Sequence, residues 1–332
     1  MERILVIGGN GFLGAALLRG LLEAGYSALT SFDLTPGGEP GVRSLAGDLR
    51  NAEQVRAACE GIDTVFQTAA LVDWGPRSRE RLYAINVLGN RNVIEACQAQ
   101  GVARLVYTSS IDVVFDGHDI AGGDESLPIP TRHLDDYGHT KALAEAEVLA
   151  ASTASGLQTC ALRAAGIYGP GDRHRFPPIL KAVRGGQMMY LGDGQARFNH
   201  VYITNLVQAH LQSAESLLPG SAVSGRAFFV TDHEPGNFYE FFTPFLTALD
   251  LPVPSRRLPA GLAYALAVVM EGLARWFGGA APLLTRYVVR STCRDFWFVT
   301  HGAEQAFGYR PRVTRDEAFS QTLDWLRQNS EG

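Results

Sequence analysis

Short apolar runs alternate with amphipathic stretches over the first 170 residues of this 332-residue chain. Apolar, β-branched runs bounded by turn residues predict buried strands, and an apolar repeat of three to four residues predicts helices. The predicted strands are residues 3–7, 27–32, 42–45, 64–68, 104–109 and 158–163. The predicted helices between them are residues 15–24, 52–59, 79–100 and 137–154. This alternation predicts an α/β fold, a Rossmann-type doubly wound parallel sheet with helices on both faces.

A glycine-rich turn joins the first predicted strand to the first helix. Gly8, Gly11 and Gly14 follow the strand at once, with the spacing G-x-x-G-x-x-G. The first glycine permits a tight turn, the second lets the backbone approach a pyrophosphate, and the third lets the helix pack closely on the strand. The placement between a strand and a helix favours a dinucleotide site over a ligand-free turn.

Asp33 stands at the end of the second predicted strand, 25 residues after Gly8. A carboxylate at this place accepts hydrogen bonds from the adenosine ribose and repels a 2′-phosphate. No arginine follows it immediately. We therefore predict NAD rather than NADP as the cofactor; the alternative is a turn-forming aspartate before Pro36.

The chain has only two lysines, and one of them, Lys141, stands four residues after Tyr137. Residues at this spacing share one face of a helix. We expect the ammonium to lower the pKa of the phenol from its reference value of about 10. A tyrosine tuned in this way exchanges a proton with an alcohol or a carbonyl, so the pair predicts an acid/base site.

Other polar and small residues follow the predicted strands, where ligands of such sheets bind. Asp48 either accepts from the adenine amino group or caps the helix that starts near Ala52. Ala69 and Ala70 are small enough for the backbone to pass close to the cofactor ribose. Ser110, in preference to Ser109, is the candidate for holding the substrate oxygen, the alternative being that both hydroxyls only satisfy loop backbone.

After residue 170 proline-rich and aromatic segments replace the alternation. We expect residues 1–170 to form the NAD-binding domain, with later segments returning to it. Residues 171–332 should supply mainly a smaller substrate-binding lobe and C-terminal helices. Apolar lining candidates are 176–184, 188–190 and Phe198, with core packing favoured for each.

Composition narrows the class of protein. Hydrophobic residues make up 46% of the chain, enough for a sizeable core, and the net charge of −5 argues against a nucleic-acid partner. Four scattered cysteines show neither metal nor disulfide spacing, which indicates a reducing cytoplasm. No signal peptide is expected before a strand that begins at residue 3. The histidines form no metal motif, so we predict no metal site, and His200 and His233 are interpreted as structural.

These motifs together resemble the extended short-chain dehydrogenases/reductases, and within them the 3β-hydroxysteroid dehydrogenase/isomerase family. Beyond the glycine turn, the resemblance is carried by residues 65–75 (VFQTAALVDWG), 86–97 (NVLGNRNVIEAC), 107–111 (YTSSI), 137–145 (YGHTKALAE), 162–172 (LRAAGIYGPGD), 200–210 (HVYITNLVQAH) and 237–246 (NFYEFFTPFL). Two positions depart from the family pattern: Ala164 stands where proline is usual, and Gln67 where histidine is common.

The resemblance implies an NAD-dependent enzyme that interconverts a secondary alcohol and a ketone on a bulky apolar substrate, a 3β-hydroxysteroid or sterol. Tyr137 would be the acid/base, Lys141 would bind the nicotinamide ribose, Ser110 would orient the substrate oxygen, and Asn86 would brace the site. The implied cofactor-binding residues are Gly8, Gly11, Phe12, Leu13, Gly14, Asp33, Asp48, Leu49, Ala69, Ala70, Tyr137, Lys141 and Ile167. The alternatives are a non-steroid ketone (a β-keto acid, a flavonoid-like compound or a sugar nucleotide), or a non-catalytic dinucleotide sensor.

Residues 258–277 form a long apolar stretch that Glu271 and Arg275 interrupt. Its cleanest run, 262–270, is shorter than the roughly 20 residues that span a bilayer. We expect a helix that caps the pocket or packs in the core, with peripheral membrane contact as the alternative that the arginine-rich flanks leave open. A homodimer through the helices 79–100 and 137–154 is implied by the resemblance alone. Residues 314–328 predict a helix that starts with a capping box of Thr314 and Glu317.

Overall fold

A computed structural model describes residues 2–73, 79–153, 156–232, 234–277 and 282–329. Four residues named above, Trp74, Gly75, Ala154 and His233, lie outside this part of the chain, so the interpretation of His233 stays a prediction.

The bounds of the strands and helices follow in chain order. The strands are β1 (Ile4–Ile7), β2 (Leu29–Asp33), β3 (Arg43–Ala46), β4 (Thr64–Gln67), β5 (Arg104–Ser110), β6 (Ile120–Gly123), β7 (Gln158–Ala164), β8 (Gly166–Tyr168), β9 (Tyr190–Leu191), β10 (Arg197–Phe198), β11 (His200–Tyr202), β12 (Arg226–Val230), β13 (Gly236–Asn237), β14 (Arg257–Leu258) and β15 (Phe296–Phe298). The α-helices are α1 (Phe12–Glu23), α2 (Ala52–Ala58), α3 (Arg79–Leu82), α4 (Asn90–Gln100), α5 (Asp136–Ala150), α6 (Phe176–Arg184), α7 (Ile203–Ser216), α8 (Phe238–Ala248), α9 (Ala260–Phe277), α10 (Arg286–Cys293), α11 (His301–Phe307) and α12 (Arg315–Asn329). A π-helix, Tyr83–Gly89, joins α3 to α4, and a 3₁₀ turn, Ile111–Val114, follows β5.

Seven parallel strands form the main sheet in the order β12-β7-β5-β4-β1-β2-β3. Strand β1 lies between β2 and β4, so the chain winds outward from it in both directions. Its four residues are buried, as expected for a strand covered by helices on both faces. The doubly wound α/β fold is thus confirmed, and the point where the strand order reverses, beside β1, is where such sheets bind ligands.

Residues before and after position 170 each contribute strands to both the main sheet and the small sheet. Helix α7 packs against α1, and β12 extends the main sheet beside β7, so both return to the sheet from the later part of the chain. Conversely, β6 belongs to the first 170 residues but pairs with β15 in a small sheet ordered β13-β10-β15-β6. The small lobe is therefore tied to the main sheet at several places along the sequence.

Some helices differ from the predicted ones in their bounds or in their type, and the predicted capping box is present. Helix α1 begins three residues earlier than predicted, with Gly11 as its N-cap. Helix α5 ends at Ala150 because the chain turns toward β7, with the Thr153 amide donating to the Leu157 carbonyl at 3.0 Å. The stretch 79–100 is helical but contains the π-helix. The capping box is confirmed, since the Thr314 amide donates to the Glu317 carboxylate at 2.8 Å.

Helix α9 contradicts the expectation that residues 258–277 pack in the core. Among its eighteen residues only Ala263 and Ala267 are buried. Large apolar side chains along it are exposed, with Trp276 87% and Phe277 79% accessible. By length and composition alone α9 could cross a membrane, and only 11% of it is buried in the protein. It is thus not a core helix.

We predict that Gly14→Ala destabilises the protein by about 1–3 kcal/mol, as overpacking usually does. A Cβ at this position would overlap the carbonyl oxygen of Gly8, which is backbone and has no rotamer to escape into. Urea unfolding measures the change. The matched control is Gly272→Ala in α9, where a Cβ meets nothing within 4 Å. Equal stability of Gly14→Ala and the wild type would contradict the close packing of helix and turn.

Candidate active site

A cavity of about 620 Å³ lies at the carboxyl ends of the strands of the main sheet. Its lining contains nearly every residue predicted for the site: Gly8, Gly11, Phe12, Leu13, Gly14, Asp33, Asp48, Leu49, Ala69, Ala70, Ser110, Tyr137, Lys141 and Ile167. Asn86 is the exception and lies behind the wall. The fold therefore brings together residues that are up to 159 positions apart (Gly8 to Ile167).

The glycine turn forms one end of the cavity. Gly8 has a φ of +84° and lies so close to the next loop that a Cβ would come within 2.8 Å of the Ala69 amide nitrogen. The N-cap of α1 is Gly11, which has no side chain to occupy the first amides of the helix. Residues 11–14, at the start of α1, line the cavity. The first amides of the helix and the positive end of the helix dipole there suit a pyrophosphate.

Two carboxylates lie at this end of the cavity. The oxygens of Asp33 accept from the Asn10 amide at 2.9 Å and from the Leu34 amide at 2.7 Å, which fixes the carboxylate at the end of β2. Asp48 is ion-paired with Arg50 at 2.5 Å, and this arginine lowers the pKa of the Asp48 carboxyl. The proposed capping role of Asp48 is wrong, because the Asn51 side chain caps α2. The adenine contact of Asp48 stays a prediction.

At the other end, a chain of hydrogen bonds connects two tyrosines. Tyr137 hydrogen-bonds Ser110, whose hydroxyl donates to a carboxylate oxygen of Asp112 at 2.7 Å. The second oxygen of Asp112 accepts from the Tyr287 hydroxyl at 2.7 Å. Ser110 also caps the 3₁₀ turn after β5, which holds it at the cavity wall. Asp112 is buried, and burial raises the pKa of its carboxyl.

Ser109 has a different role from its neighbour. Its hydroxyl donates to Glu145 at 2.6 Å, and the carboxylate of Glu145 is held by the Arg163 guanidinium at 2.7–3.1 Å. All three residues are buried. The geometry thus favours Ser110 over Ser109 for contact with a substrate, while Ser109 ties β5 to α5.

Lys141 is buried under Tyr137 on the same face of α5. Its ammonium donates to the Thr108 carbonyl at 2.6 Å and lies 4.1 Å from the centroid of the Tyr107 ring. Burial lowers the pKa of Lys141 to about 7, and the nearby Glu145 carboxylate opposes this shift.

The predicted lowering of the pKa of Tyr137 is wrong in this structure. Burial raises the pKa of the Tyr137 phenol above its ordinary value, the charge of Asp112 adds to the rise, and the hydrogen bond to Ser110 opposes it. The sequence pattern places the ammonium on the same helix face but does not show the desolvation of the phenol. Tyr137 is therefore a proton donor at neutral pH in the protein as described.

Asn86 braces the loop that follows β4. Its carboxamide accepts from the Leu71 amide at 2.8 Å and donates to the Leu71 carbonyl at 3.0 Å and to Thr140 at 3.3 Å. It lies in the π-helix, a geometry that is frequent at functional sites. Gln67, where the family commonly has histidine, accepts from the Ala69 amide at 3.1 Å and holds the same loop.

Three residues of the reaction end were not found in the sequence: Asp112, Arg175 and Tyr287. Asp112 directly follows the YTSSI motif and could have been suspected from that position. Tyr287 reaches the cavity from α10 through packing that no local pattern reveals. Of the apolar lining candidates, Phe198 lines the cavity, whereas Phe176 is fully buried in the core.

Comparisons with known proteins identify the family to which the chain belongs. The model of the 3-beta hydroxysteroid dehydrogenase/isomerase family matches residues 5–260. A relative from Mycobacterium tuberculosis named 3 beta-hydroxysteroid dehydrogenase/Delta 5→4-isomerase is 39% identical over 338 residues, covering 98% of this chain and 90% of its own. The chain belongs to this family. It is accordingly an oxidoreductase of the extended short-chain dehydrogenase/reductase type.

One further relative and one solved structure are also similar to this chain. A 2-alkyl-3-oxoalkanoate reductase from Stenotrophomonas maltophilia is 37% identical over 325 residues, covering 95% of this chain and 96% of its own. The solved structure of MoeE5 with UDP-glucuronic acid and NAD superposes with a TM-score of 0.75 at 24% identity, over 98% of this chain and 99% of the other. The second likeness supports the fold alone.

We predict that the stability difference between Lys141→Met and the wild type depends on pH. The folded pKa of Lys141, about 7, lies below its ordinary value of 10.5, so unfolding takes up a proton between these values. The penalty of the buried ammonium is complete below about pH 7 and disappears as the pH rises toward about 10.5. The variant should therefore gain most over the wild type near pH 6 and least near pH 10.

Urea midpoints of the protein without nucleotide test this prediction. Lys181→Met removes the other lysine, which is exposed on α6, and serves as the control. A Lys141→Met difference that is constant over this pH range would contradict the described burial of the ammonium.

Proposed function

We propose that this protein catalyses the NAD-dependent interconversion of a secondary alcohol and a ketone on a bulky apolar substrate, a 3β-hydroxysteroid or sterol. The observation that carries the proposal is the meeting of Tyr137, Ser110 and Lys141 in one cavity with the glycine turn. A dinucleotide sensor needs the turn but has no use for a buried phenol, hydroxyl and ammonium at the far end.

The residues of the cavity fit NAD. The uncapped first turn of α1 suits the pyrophosphate, and Asp33 suits the adenosine ribose, because its carboxylate is fixed by two amides and retains accepting lone pairs. Lys141 and Ile167 would lie at the nicotinamide end. When bound, NAD⁺ supplies the hydride acceptor for the carbinol carbon.

The chain itself must hold the substrate oxygen and move a proton. Tyr137 is protonated at neutral pH, so in the reducing direction it donates its proton to the carbonyl oxygen. In the oxidising direction the Tyr137 phenolate accepts the proton of the substrate hydroxyl. The raised pKa makes this phenolate a stronger base, but it also lowers the fraction of Tyr137 that is ionised. Ser110 would hold the same oxygen by turning its single proton from Asp112, to which it donates in this structure.

The nature of the substrate is supported by the family and by the lining. Named relatives act on 3β-hydroxysteroids and on sterol carboxylates. The reaction end of the cavity includes apolar side chains such as Val72, Ile85, Ile167 and Phe198. Such a wall suits a fused-ring or long-chain skeleton better than a sugar.

Steady-state kinetics with a panel of 3β-hydroxysteroids and NAD⁺ tests the proposal. Tyr137→Phe removes only the hydroxyl, so we expect kcat to fall by about 10²–10⁴, the usual contribution of general acid–base catalysis. Binding of NADH, followed by its fluorescence, should remain. Unchanged turnover in Tyr137→Phe would contradict the assignment of Tyr137. If no steroid is oxidised although NADH binds, the steroid assignment is wrong.

We also propose that α9 rests on a membrane surface. Its apolar face is exposed along Leu262, Leu266, Val269 and Leu273 and ends in two exposed aromatic residues. Arginines flank it on both sides, at Arg256 and Arg257 before it and in α10 after it. An apolar face beside arginines is typical of interfacial helices on anionic lipid.

Flotation with phosphatidylcholine vesicles, with and without phosphatidylglycerol, measures this contact. We expect binding that increases with the anionic lipid and is lost in Leu273→Glu, because burial of one leucine contributes about 2 kcal/mol. Leu218→Glu is the matched control, since Leu218 is a similarly exposed leucine outside α9. Equal binding of the two variants, or none by the wild type, would contradict the proposal.

The cytoplasmic location and the homodimer stay predictions. For the dimer, Tyr83 and Leu88 on the helical stretch 79–100 are partly exposed, and sedimentation velocity would give the mass directly.

A further inference from the structure

Arg175 lies in the cavity wall at the reaction end, just before α6. Its guanidinium covers Gly166 so closely that a Cβ on this glycine would overlap Nη1. Gly166 is adjacent to Ile167 and pairs with His200 across β8 and β11. A positive charge is therefore built into the part of the cavity where the reaction is proposed to take place.

The surroundings orient this guanidinium without neutralising it. Nη2 donates to Nε2 of His200 at 3.1 Å, and because arginine only donates, His200 accepts with a neutral ring nitrogen. The guanidinium also lies 5.3 Å from the Phe198 ring centroid and 5.7 Å from that of Phe238. Among the described residues, no carboxylate forms an ion pair with Arg175.

The two nearest carboxylates are engaged by other donors. Asp172 accepts from the backbone amides of residues 174–176, at 2.7–3.1 Å. Asp112 accepts from Ser110 and Tyr287. Burial lowers the pKa of Arg175, and the charges of Asp172 and Asp112 only partly offset this. Arg175 is half-buried, so an anion that entered from the cavity would stabilise a partly desolvated cation.

The position of Arg175 relative to the reacting oxygen limits where such an anion can lie. Asp112 is hydrogen-bonded to Ser110, and Arg175 is near enough to act on the charge of Asp112. Arg175, Ser110 and Tyr137 line the same cavity, so a single substrate could contact Arg175 and place its reacting oxygen at Ser110 and Tyr137. The planar fork of a guanidinium matches a carboxylate in two parallel hydrogen bonds.

We propose that Arg175 binds a carboxylate of the substrate close to the carbinol carbon, so that the preferred substrates are apolar 3-hydroxy acids and the corresponding 3-oxo acids. This inference rests on the proposed alcohol oxidation at Tyr137 and specifies its substrate class. The apolar lining receives the hydrocarbon part, and Arg175 determines which end of the molecule faces Ser110.

A matched pair of substrates tests the proposal in the wild-type enzyme. 3-Hydroxydodecanoate and 3-hydroxydodecanamide have nearly the same shape and differ in charge. We expect kcat/KM with NAD⁺ to be at least about tenfold higher for the acid, which corresponds to one charge-assisted hydrogen bond. Binding to the enzyme–NADH complex, followed by NADH fluorescence, should show the same preference without any turnover.

Variants assign the preference to Arg175. In Arg175→Met the ratio of kcat/KM for the acid to kcat/KM for the amide should fall to about one, mainly because KM for the acid rises. Arg175→Lys should restore part of it, because a lysine keeps the charge but not the fork. Lys181→Met makes the same charge change on α6, outside the cavity, and should keep the full preference.

The outcomes separate this inference from the proposed function. If the enzyme oxidises neutral 3β-hydroxysteroids but treats the acid and the amide alike, the carboxylate site is wrong and the proposed function stands. If the acid binds through Arg175 in the fluorescence assay but nothing is oxidised, the proposed function is wrong and the carboxylate site stands. A preference that survives in Arg175→Met also overturns the inference.

Discussion

The anchoring of α5 to the end of β5 is the constraint on which the site depends. Two buried contacts make it: the Lys141 ammonium on the Thr108 carbonyl, and the Glu145 carboxylate between Ser109 and Arg163. Breaking a buried ion pair by removing one partner typically costs about 3–5 kcal/mol, so this arrangement is fixed. Because Ser110 is the next residue on the strand and Tyr137 lies one turn before Lys141, the same contacts set the distance between the proposed catalytic groups.

The second part of the site is supplied by the small lobe. Tyr287 in α10 reaches across to Asp112, which in turn holds Ser110. Helix α10 is also joined to α9 by the bond from Arg286 to Glu271 at 2.8 Å. A continuous set of contacts therefore leads from the exposed apolar helix to the serine that would hold the substrate.

The sequence predicted the features that depend on local backbone. The glycine turn, the tyrosine–lysine spacing and the capping box of α12 each need only a few consecutive residues, and the structure has all three. The order of strand and helix was also sufficient for the parallel sheet. The roles of Tyr137, Lys141 and Ser110 in catalysis stay predictions, because the geometry shows where a side chain lies and not what it does.

The features that depend on long-range packing could not be predicted. Tyr287 lies 175 residues from Asp112, and nothing in the local pattern of either residue indicates the hydrogen bond between them. The pKa of Tyr137 is raised by burial and by the charge of Asp112, and the spacing of Tyr137 and Lys141 in the sequence shows neither. For α9, its composition suits a core helix as well as a surface helix, and only its neighbours decide between the two.

Transfer of the carbinol hydrogen from the substrate to the cofactor is the step that tests the proposed reaction most directly. A 3β-hydroxy substrate labelled with deuterium on the carbinol carbon is incubated with NAD⁺ and the enzyme. The deuterium content of the ketone and of NADH is then measured by mass spectrometry. Direct transfer between substrate and cofactor in the cavity predicts that the deuterium appears in NADH, and that Tyr137→Phe slows its appearance. Deuterium in the solvent, or label retained in the substrate while NADH still forms, would contradict hydride transfer at this site.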